Sequence, residues 1–298
     1  MNIVKDLRDL KCGKVLEKVN LKSYNTYKIE ATALVMVFPS NVDELKKLMS
    51  YVKKNSIKHK ILGNGSNLVF NDGLYDGILI RLDAFKDLKV DDTKVTVGAG
   101  YNLMKLAINI SRLGLTGLEF ATGIPGTVGG AVYMNAGAYK SDMGYVVSQI
   151  KVLTPNGEIK AMYNKELDFH YRTSFLQKNP NYICLEATIV LKQGDRDAII
   201  NVIENRKKRR LMTQPLEYPS AGSVFRNPEN DFAGRLIEEI GYKGKRLGGA
   251  QVSDKHANFI INYDKATGKD IRTLILEIQE KVKNAYGIEL KIEQEFIE

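Results

Sequence analysis

The 298-residue chain has no tryptophan, two cysteines and three histidines. Cys12 and Cys184 are too few for a disulfide framework, and neither opens a C-x-x-C pair. Both read as reduced thiols, with Cys184 in the apolar run 182–185 as plain core. The N-terminus mixes charges with short apolar spacings and has no signal-peptide core, so a cytoplasmic location is expected. His59, His170 and His256 are scattered and lack a supporting cysteine or acidic cluster, so no metal site is expected. No Ser/His/Asp arrangement stands out either. No apolar run is long enough to span a bilayer. The G-x-x-x-x-G-K-[ST] motif is missing, which argues against a P-loop. No G-x-G-x-x-G opens a helix after the first strand, which argues against a Rossmann dinucleotide site.

What is present is ordinary for a globular protein: 44% apolar and 27% charged residues, spread along the whole length. The 44 Lys and Arg outnumber 35 Asp and Glu, giving a net charge of +9. Such an excess suits nucleic acid, anionic lipid or small phosphate anions. Its one dense run, Arg206-Lys207-Lys208-Arg209-Arg210, follows Ile199, Ile200, Val202 and Ile203. It therefore reads as the solvated end of an amphipathic helix, where basic residues also suit the dipole. Aromatics are not interleaved with the basic residues as a single-strand nucleic-acid surface requires. Neither nucleic acid nor membrane is expected as a partner.

Spacing predicts a helix capped by Ser40, with Leu45, Leu48, Met49 and Val52 on one face. Strands are predicted at 60–62, 77–82 and 90–97, and a helix carries Leu103, Leu106, Ala107 and Ile110. A hairpin turns at Thr154-Pro155-Asn156-Gly157, between strands near 149–153 and 158–162. A strand at 182–191 precedes the basic helix. Further helices hold Leu236, Ile237 and Ile240, then 270–285, before a closing strand over 288–297. The class is α+β, without the regular strand–helix alternation of a doubly wound fold. A boundary between about 195 and 212 divides the chain.

Three segments rich in small residues stand out: Gly63-Asn64-Gly65-Ser66-Asn67, Gly98-Ala99-Gly100, and 123–130 with Gly123, Gly126, Gly129 and Gly130. Glycine lets backbone N–H groups approach a ligand, and successive N–H groups bind phosphate oxygens. The Gly98-Ala99-Gly100 segment reads equally as a turn after a strand. Several such loops in one half suit a long diphosphate ligand.

Six ordered blocks carry a closer likeness. They are Leu62-Gly63-Asn64-Gly65-Ser66-Asn67-Leu68, the stretch 117–131, Met134-Asn135-Ala136-Gly137-Ala138-Tyr139, Tyr171-Arg172-Thr173-Ser174-Phe175, the stretch 219–228, and Lys255-His256-Ala257-Asn258-Phe259. Together they resemble the UDP-N-acetylenolpyruvoylglucosamine reductase (MurB) family over nearly the whole chain. Ser-Ala-Gly-Ser at 220–223, and the compact stretch between Arg172 and Ser223, resemble its shorter, type II form.

The resemblance implies an FAD-binding domain of the vanillyl-alcohol-oxidase (PCMH) type over 1–205. That domain would comprise a helical segment at 1–22 and two α+β subdomains. A smaller α+β substrate-binding domain would cover 206–298. It implies non-covalent FAD, NADPH as hydride donor, and reduction of UDP-N-acetylglucosamine enolpyruvate for peptidoglycan precursors by a monomer. Flavin contacts would come from Leu62, Gly63, Asn64, Gly65, Ser66 and Asn67, and from Gly98, Ala99 and Gly100. Others would come from Thr122, Gly123, Ile124, Pro125, Gly126, Thr127, Gly129, Gly130 and Ala131, then Asn135, Ala136 and Gly137.

By the same resemblance, Arg172 would hold the substrate carboxylate through its planar fork of donors. Ser223 would be the proton donor, and Glu293 the assisting carboxylate. Tyr171 and Asn227 are candidates for substrate contact, Arg210 for the substrate diphosphate, and His256 for a supporting position. Packing or surface roles suit these last equally. The family commonly reads Leu-Glu-Pro-Glu-Val near its end, whereas this chain has Leu290-Lys291-Ile292-Glu293-Gln294-Glu295-Phe296. Within one strand Glu293 and Glu295 would share a face, so alternation does not choose between them; counting from Gly287 favours Glu293. Two rivals remain at this level. One is another flavin oxidoreductase of the same fold, although no His or Cys in 62–68 or 117–139 is available to tether flavin. The other is a non-catalytic nucleotide or nucleic-acid binder.

Overall fold

Five antiparallel strands organise the larger of the two units into which the chain divides. The computed structural model describes residues 3–298. The larger unit takes Val35–Asn64, Gly77–Arg206 and the N-terminal stretch to Glu17; the smaller takes Lys18–Leu34, Gly65–Asp76 and Lys207–Glu298.

In the larger unit the strand order is Ile159–Tyr163, Val147–Leu153, Ile183–Val190, Lys94–Gly98, Leu88–Asp91. The central strand Ile183–Val190 is buried at six of its eight positions, as a strand covered on both faces must be. Cys184 lies within it, buried as expected. Gly157, at φ +81°, closes the expected hairpin and brings Leu153 opposite Ile159. The helix Leu103–Arg112 buries Leu103, Leu106, Ala107 and Ile110 on one face. Asn102 caps it by accepting from the Lys105 amide at 2.9 Å. A smaller sheet sets His59–Ile61 parallel to the end of Gly73–Ile80, with Ile61 opposite Ile80.

Several expectations are corrected. The predicted strand over 90–97 is a hairpin, Leu88–Asp91 with Lys94–Gly98, because Asp92 adopts φ 50° and turns the chain. Of the helical segment expected over 1–22, residues 1 and 2 lie outside the described residues, and the helix covers only Ile3–Asp9. Lys11 (φ 51°) and Gly13 (φ +116°) end it, and Lys14–Asn20 is a strand. Asn41 rather than Ser40 caps the helix Val42–Lys54, accepting from the Glu44 amide at 3.0 Å. Ser40 instead donates its amide to the Glu44 carboxylate at 2.6 Å. The basic helix, Arg196–Thr213, buries only Ile199, and Val202 is exposed. Its apolar run ends at Ile203, and the same face continues with the basic Arg206 and Arg210.

The smaller unit has one core, built on Ile271, Leu274, Ile275, Ile278 and Val282 of the helix Gly268–Tyr286. Thr267 and Asp270 form its capping box, and Gly287 at φ 69° ends it. Against that face pack Val224, Phe225, Leu236, Ile237, Val252 and Ile260. A three-stranded antiparallel sheet joins Arg246–Leu247, Ala250–Val252 and Ile260–Asn262. The closing strand is only Glu295–Ile297, parallel to Leu68–Phe70. Upstream, the stretch expected to be continuous keeps a single bridge, Ile292 to Phe225. Among the described residues no helix is long and apolar enough to cross a membrane.

Candidate functional site

Glycine in the larger unit first serves close approach of main chain to main chain. A Cβ on Gly98 would stand 2.3 Å from the Phe85 carbonyl oxygen, and one on Gly100 only 1.9 Å from that of Leu82. Their amides are used up: Gly98 donates to Asp87, Ala99 to Leu185 and Gly100 to Phe85, at 2.8–2.9 Å. The helix Val128–Met134 is similar at its start. There Val128 donates to Tyr101 at 2.9 Å, Gly129 to Ala99 at 2.8 Å and Gly130 to the Thr127 hydroxyl at 3.3 Å. Ala131 closes the first helical turn on the Thr127 carbonyl at 2.9 Å. Ahead of it, Thr122 donates its hydroxyl to Glu119, Ile124 its amide to Ala121 and Gly126 its amide to Ile124. Leu62 likewise donates to Ile80, and a Cβ on Gly63 would lie 2.8 Å from the Thr127 hydroxyl. The glycines thus draw 62–63, 98–103 and 126–130 together, and the amides of 98–100 and 128–130 are committed to the protein itself.

The next loop differs. Among the described residues, no protein group accepts from the amides of Gly63, Asn64, Gly65 or Ser66. Gly65 holds φ +62°, and a Cβ there would meet the Tyr24 carbonyl oxygen at 2.3 Å. Consecutive unclaimed amides around a left-handed glycine suit a diphosphate such as that of FAD.

Arg172 stands in a tight turn whose ends, His170 and Thr173, exchange main-chain hydrogen bonds of 3.0 Å. Its backbone is left-handed, at φ 56°. This conformation is uncommon for a non-glycine residue and needs support from its surroundings. That support comes from the blocks quoted above. Asn135, buried and itself left-handed, donates to the His170 carbonyl at 2.8 Å and accepts from the Gly144 amide at 2.9 Å. Ala136 donates to Ala131, closing that helix. Gln177 donates to the carbonyls of Arg172 and Tyr133, both at 3.0 Å. Arg172 donates to the Gly137 carbonyl at 2.7 Å, its guanidinium carbon 5.0 Å from the Tyr171 ring. Tyr171 is exposed. Arg206, at the head of the basic run, lies over the Tyr139 ring at 4.5 Å.

In the smaller unit Ser223 bridges Phe259, and the Glu293 amide donates to the Val224 carbonyl at 2.8 Å. The two residues singled out from sequence are therefore near neighbours. Glu293 and Glu295 do not share one strand. The chain bends at Gln294, and Glu295 begins the strand opposite Leu68. Asn67 spans the bend, donating its side-chain amide to the Glu293 carbonyl and accepting from the Glu295 amide, both at 2.9 Å. Asn258, 3% exposed, brackets Phe225, accepting from its amide at 2.9 Å and donating to its carbonyl at 2.8 Å. His256 accepts the Asn258 amide at 3.2 Å; burial pushes its pKa down, favouring the neutral ring that this contact needs. Asn227 accepts the Ala233 amide at 3.1 Å at the start of the helix Ala233–Glu239, and Arg210 donates to Gln214 at 3.0 Å. Neither is drawn to the Ser223 turn by these bonds. Asn258, Gln177 and Gln294 escaped the sequence reading. The available signal was a polar side chain set among apolar neighbours, as in Ala257-Asn258-Phe259.

Comparison with known proteins gives the family. Residues 33–163 match the model of an FAD binding domain, and residues 214–297 that of the UDP-N-acetylenolpyruvoylglucosamine reductase C-terminal domain. The UDP-N-acetylenolpyruvoylglucosamine reductase of Anoxybacillus flavithermus is 46% identical over 98% of this chain and 97% of its own. That of Bacillus subtilis is 43% identical over 99% and 98%. The crystal structure of the Thermus caldophilus enzyme superposes with a TM-score of 0.82 at 34% identity, covering 96% of this chain and 99% of that one. Physcomitrella patens BBE-like 1, at 14% identity and a TM-score of 0.50 over 65% of this chain and 45% of its own, shares the fold alone. On these matches the chain belongs to the UDP-N-acetylenolpyruvoylglucosamine reductase family of FAD-dependent oxidoreductases.

Proposed function

We propose that the chain reduces the enolpyruvyl group of UDP-N-acetylglucosamine enolpyruvate to give UDP-N-acetylmuramate, with NADPH as the hydride source, as a cytoplasmic monomer in peptidoglycan precursor synthesis. The observation that carries this is the pairing of the Ser223 turn with Glu293 through the Val224 carbonyl. It sets a hydroxyl proton donor and a carboxylate on adjoining segments, in a chain whose relatives of that name match it from end to end.

FAD would be held chiefly by the unclaimed amides of 63–66, with Asn67 fixing the far side of that loop. The segments 98–100, 122–131 and 135–137 would add further contacts. The cofactor supplies the relay of hydride from NADPH to the enolpyruvyl CH₂ carbon. Negative charge then develops on the neighbouring carbon and spreads into its carboxylate. Arg172 meets that carboxylate with a planar fork already held by its turn, so little reorganisation is needed. The Ser223 hydroxyl gives its proton to the carbon; a serine is a weak acid, but a carbanion-like acceptor is a strong base. Glu293, on the segment bonded to the Ser223 turn, assists in stabilising the developing charge. Tyr171 and Arg210 are assigned to substrate contact. Asn227 is assigned there too, through the part of its amide not committed to Ala233.

The test follows the flavin's visible absorbance anaerobically through two additions. NADPH is expected to bleach it and UDP-N-acetylglucosamine enolpyruvate to restore it. A flavin that bleaches without recovering would leave the fold standing and defeat the assigned substrate.

A further inference from the structure

We propose that Gln294 is a positioning residue that locks Ser223 and Glu293 into a single frame; the proposal rests on the roles given to those two above. Gln294 is 4% exposed, and every polar atom of its side chain is engaged. Its Nε2 donates to the carbonyls of Ala221 at 3.2 Å and Gly222 at 3.3 Å. Its Oε1 accepts from the Tyr27 hydroxyl at 3.0 Å, and Tyr27 is itself fully buried. One residue earlier, the Glu293 amide donates to the Val224 carbonyl. Two consecutive residues therefore donate to three carbonyls on either side of Ser223: 221 and 222 before it, 224 after it. Gly222 holds φ +77°. The direction in which the next residue leaves that turn depends on how its carbonyls are fixed.

A primary amide suits the task, since Nε2 carries two N–H groups for two carbonyls while Oε1 stays free to accept. Laid on Leu290–Gln294, the family pattern Leu-Glu-Pro-Glu-Val puts a valine where this chain has Gln294, and a valine has no such donors.

The test uses the FAD-loaded protein with two substitutions, Gln294→Met and Tyr27→Phe. Methionine keeps the length and apolar volume and deletes the donors. With photoreduced flavin, reoxidation by UDP-N-acetylglucosamine enolpyruvate is expected to slow about ten- to hundredfold in Gln294→Met, the scale of a misplaced reacting group. Tyr27→Phe removes one restraint on the amide and is expected to slow it about fivefold, the worth of a single hydrogen bond. Hydrogen exchange at Ser223, Val224 and Phe225 is expected to quicken in both, while flavin reduction by NADPH stays within about twofold of the parent. A lower melting temperature with an unchanged reoxidation rate and unchanged exchange would make Gln294 merely structural and overturn the proposal. Should Gln294→Met fail to fold, a parental rate in Tyr27→Phe overturns it equally. Ser223→Ala is run alongside: a parental reoxidation rate there defeats the underlying assignment of Ser223, whatever Gln294 does.

Discussion

The amide of Glu293 donates to the carbonyl of Val224 at 2.8 Å, and this one bond places the carboxylate segment against the residue that follows Ser223. It also separates two glutamates that periodicity alone left equivalent. Glu295 pairs along the strand opposite Leu68, beyond the bend at Gln294.

Substitutions should therefore divide by position. Ser223→Ala is expected to slow flavin reoxidation by the enolpyruvyl substrate about 10²–10⁴-fold, the usual worth of a positioned acid. Glu293→Gln should slow the same step, and Glu295→Gln should change it less than about threefold, because Glu295 lies beyond the bend, on the strand paired with Leu68. Rapid-mixing absorbance of the two half-reactions measures all three; equal effects of the two glutamates would refute the assignment.

Two kinds of glycine should fail differently. Gly65→Ala places a methyl 2.3 Å from the Tyr24 carbonyl and forces φ +62° on alanine, beside amides that have no protein acceptor. It is expected to yield folded protein with little bound flavin. Gly100→Ala meets the Leu82 carbonyl at 1.9 Å inside a main-chain crossing and should lower the yield of folded protein itself. Flavin-to-protein absorbance and circular dichroism distinguish the outcomes.

Arg172→Lys keeps the charge but loses the planar fork that meets Gly137, and with it the bidentate carboxylate contact proposed for it. A fall in kcat/KM of about ten- to hundredfold is expected, with flavin reduction unaffected. Asn135→Leu, which removes the support of the His170 carbonyl, should mimic part of that loss.

Asn258→Leu abandons the amide and carbonyl of Phe225 in a buried place. A loss of about 2–4 kcal/mol follows from two unsatisfied groups. The denaturation midpoint should drop with the slope unchanged.

Alkaline pH should destabilise the protein through two buried groups. Burial pushes the Cys184 thiol up to about 12 from 9.0. Burial, then the charge of Glu295, pushes the Tyr75 hydroxyl up to about 12 from 10.0. Both groups are neutral in the folded state and ionise more easily when unfolded. Their stabilisation is whole below 9.0 for Cys184 and 10.0 for Tyr75, and is lost as pH rises toward about 12. Melting temperatures across that window check this, and Cys184→Ala should delay the onset.

Several elements were legible because local chemistry dictates them. The hairpin at 154–157 needed only Pro-Asn-Gly, and the helix Gly268–Tyr286 only its spacing and its threonine cap. The strand expected over 90–97 was misjudged because alternation does not register a single left-handed Asp92. The basic helix was misjudged because the apolar face that starts at Ile199 is continued by Arg206 and Arg210 and not by further apolar residues.

By itself the sequence determined the α+β class and the family blocks, and put forward Arg172, Ser223 and Glu293 as candidates, since each depends on short-range pattern or on motifs that can be aligned. Only the tertiary structure decided which glycine amides remain open to a ligand, because an amide's availability depends on a carbonyl far along the chain. It likewise separated Glu293 from Glu295 and gave Gln294 its three partners. Hydrogen bonds between residues some 70 to 270 positions apart leave no periodic trace in a sequence.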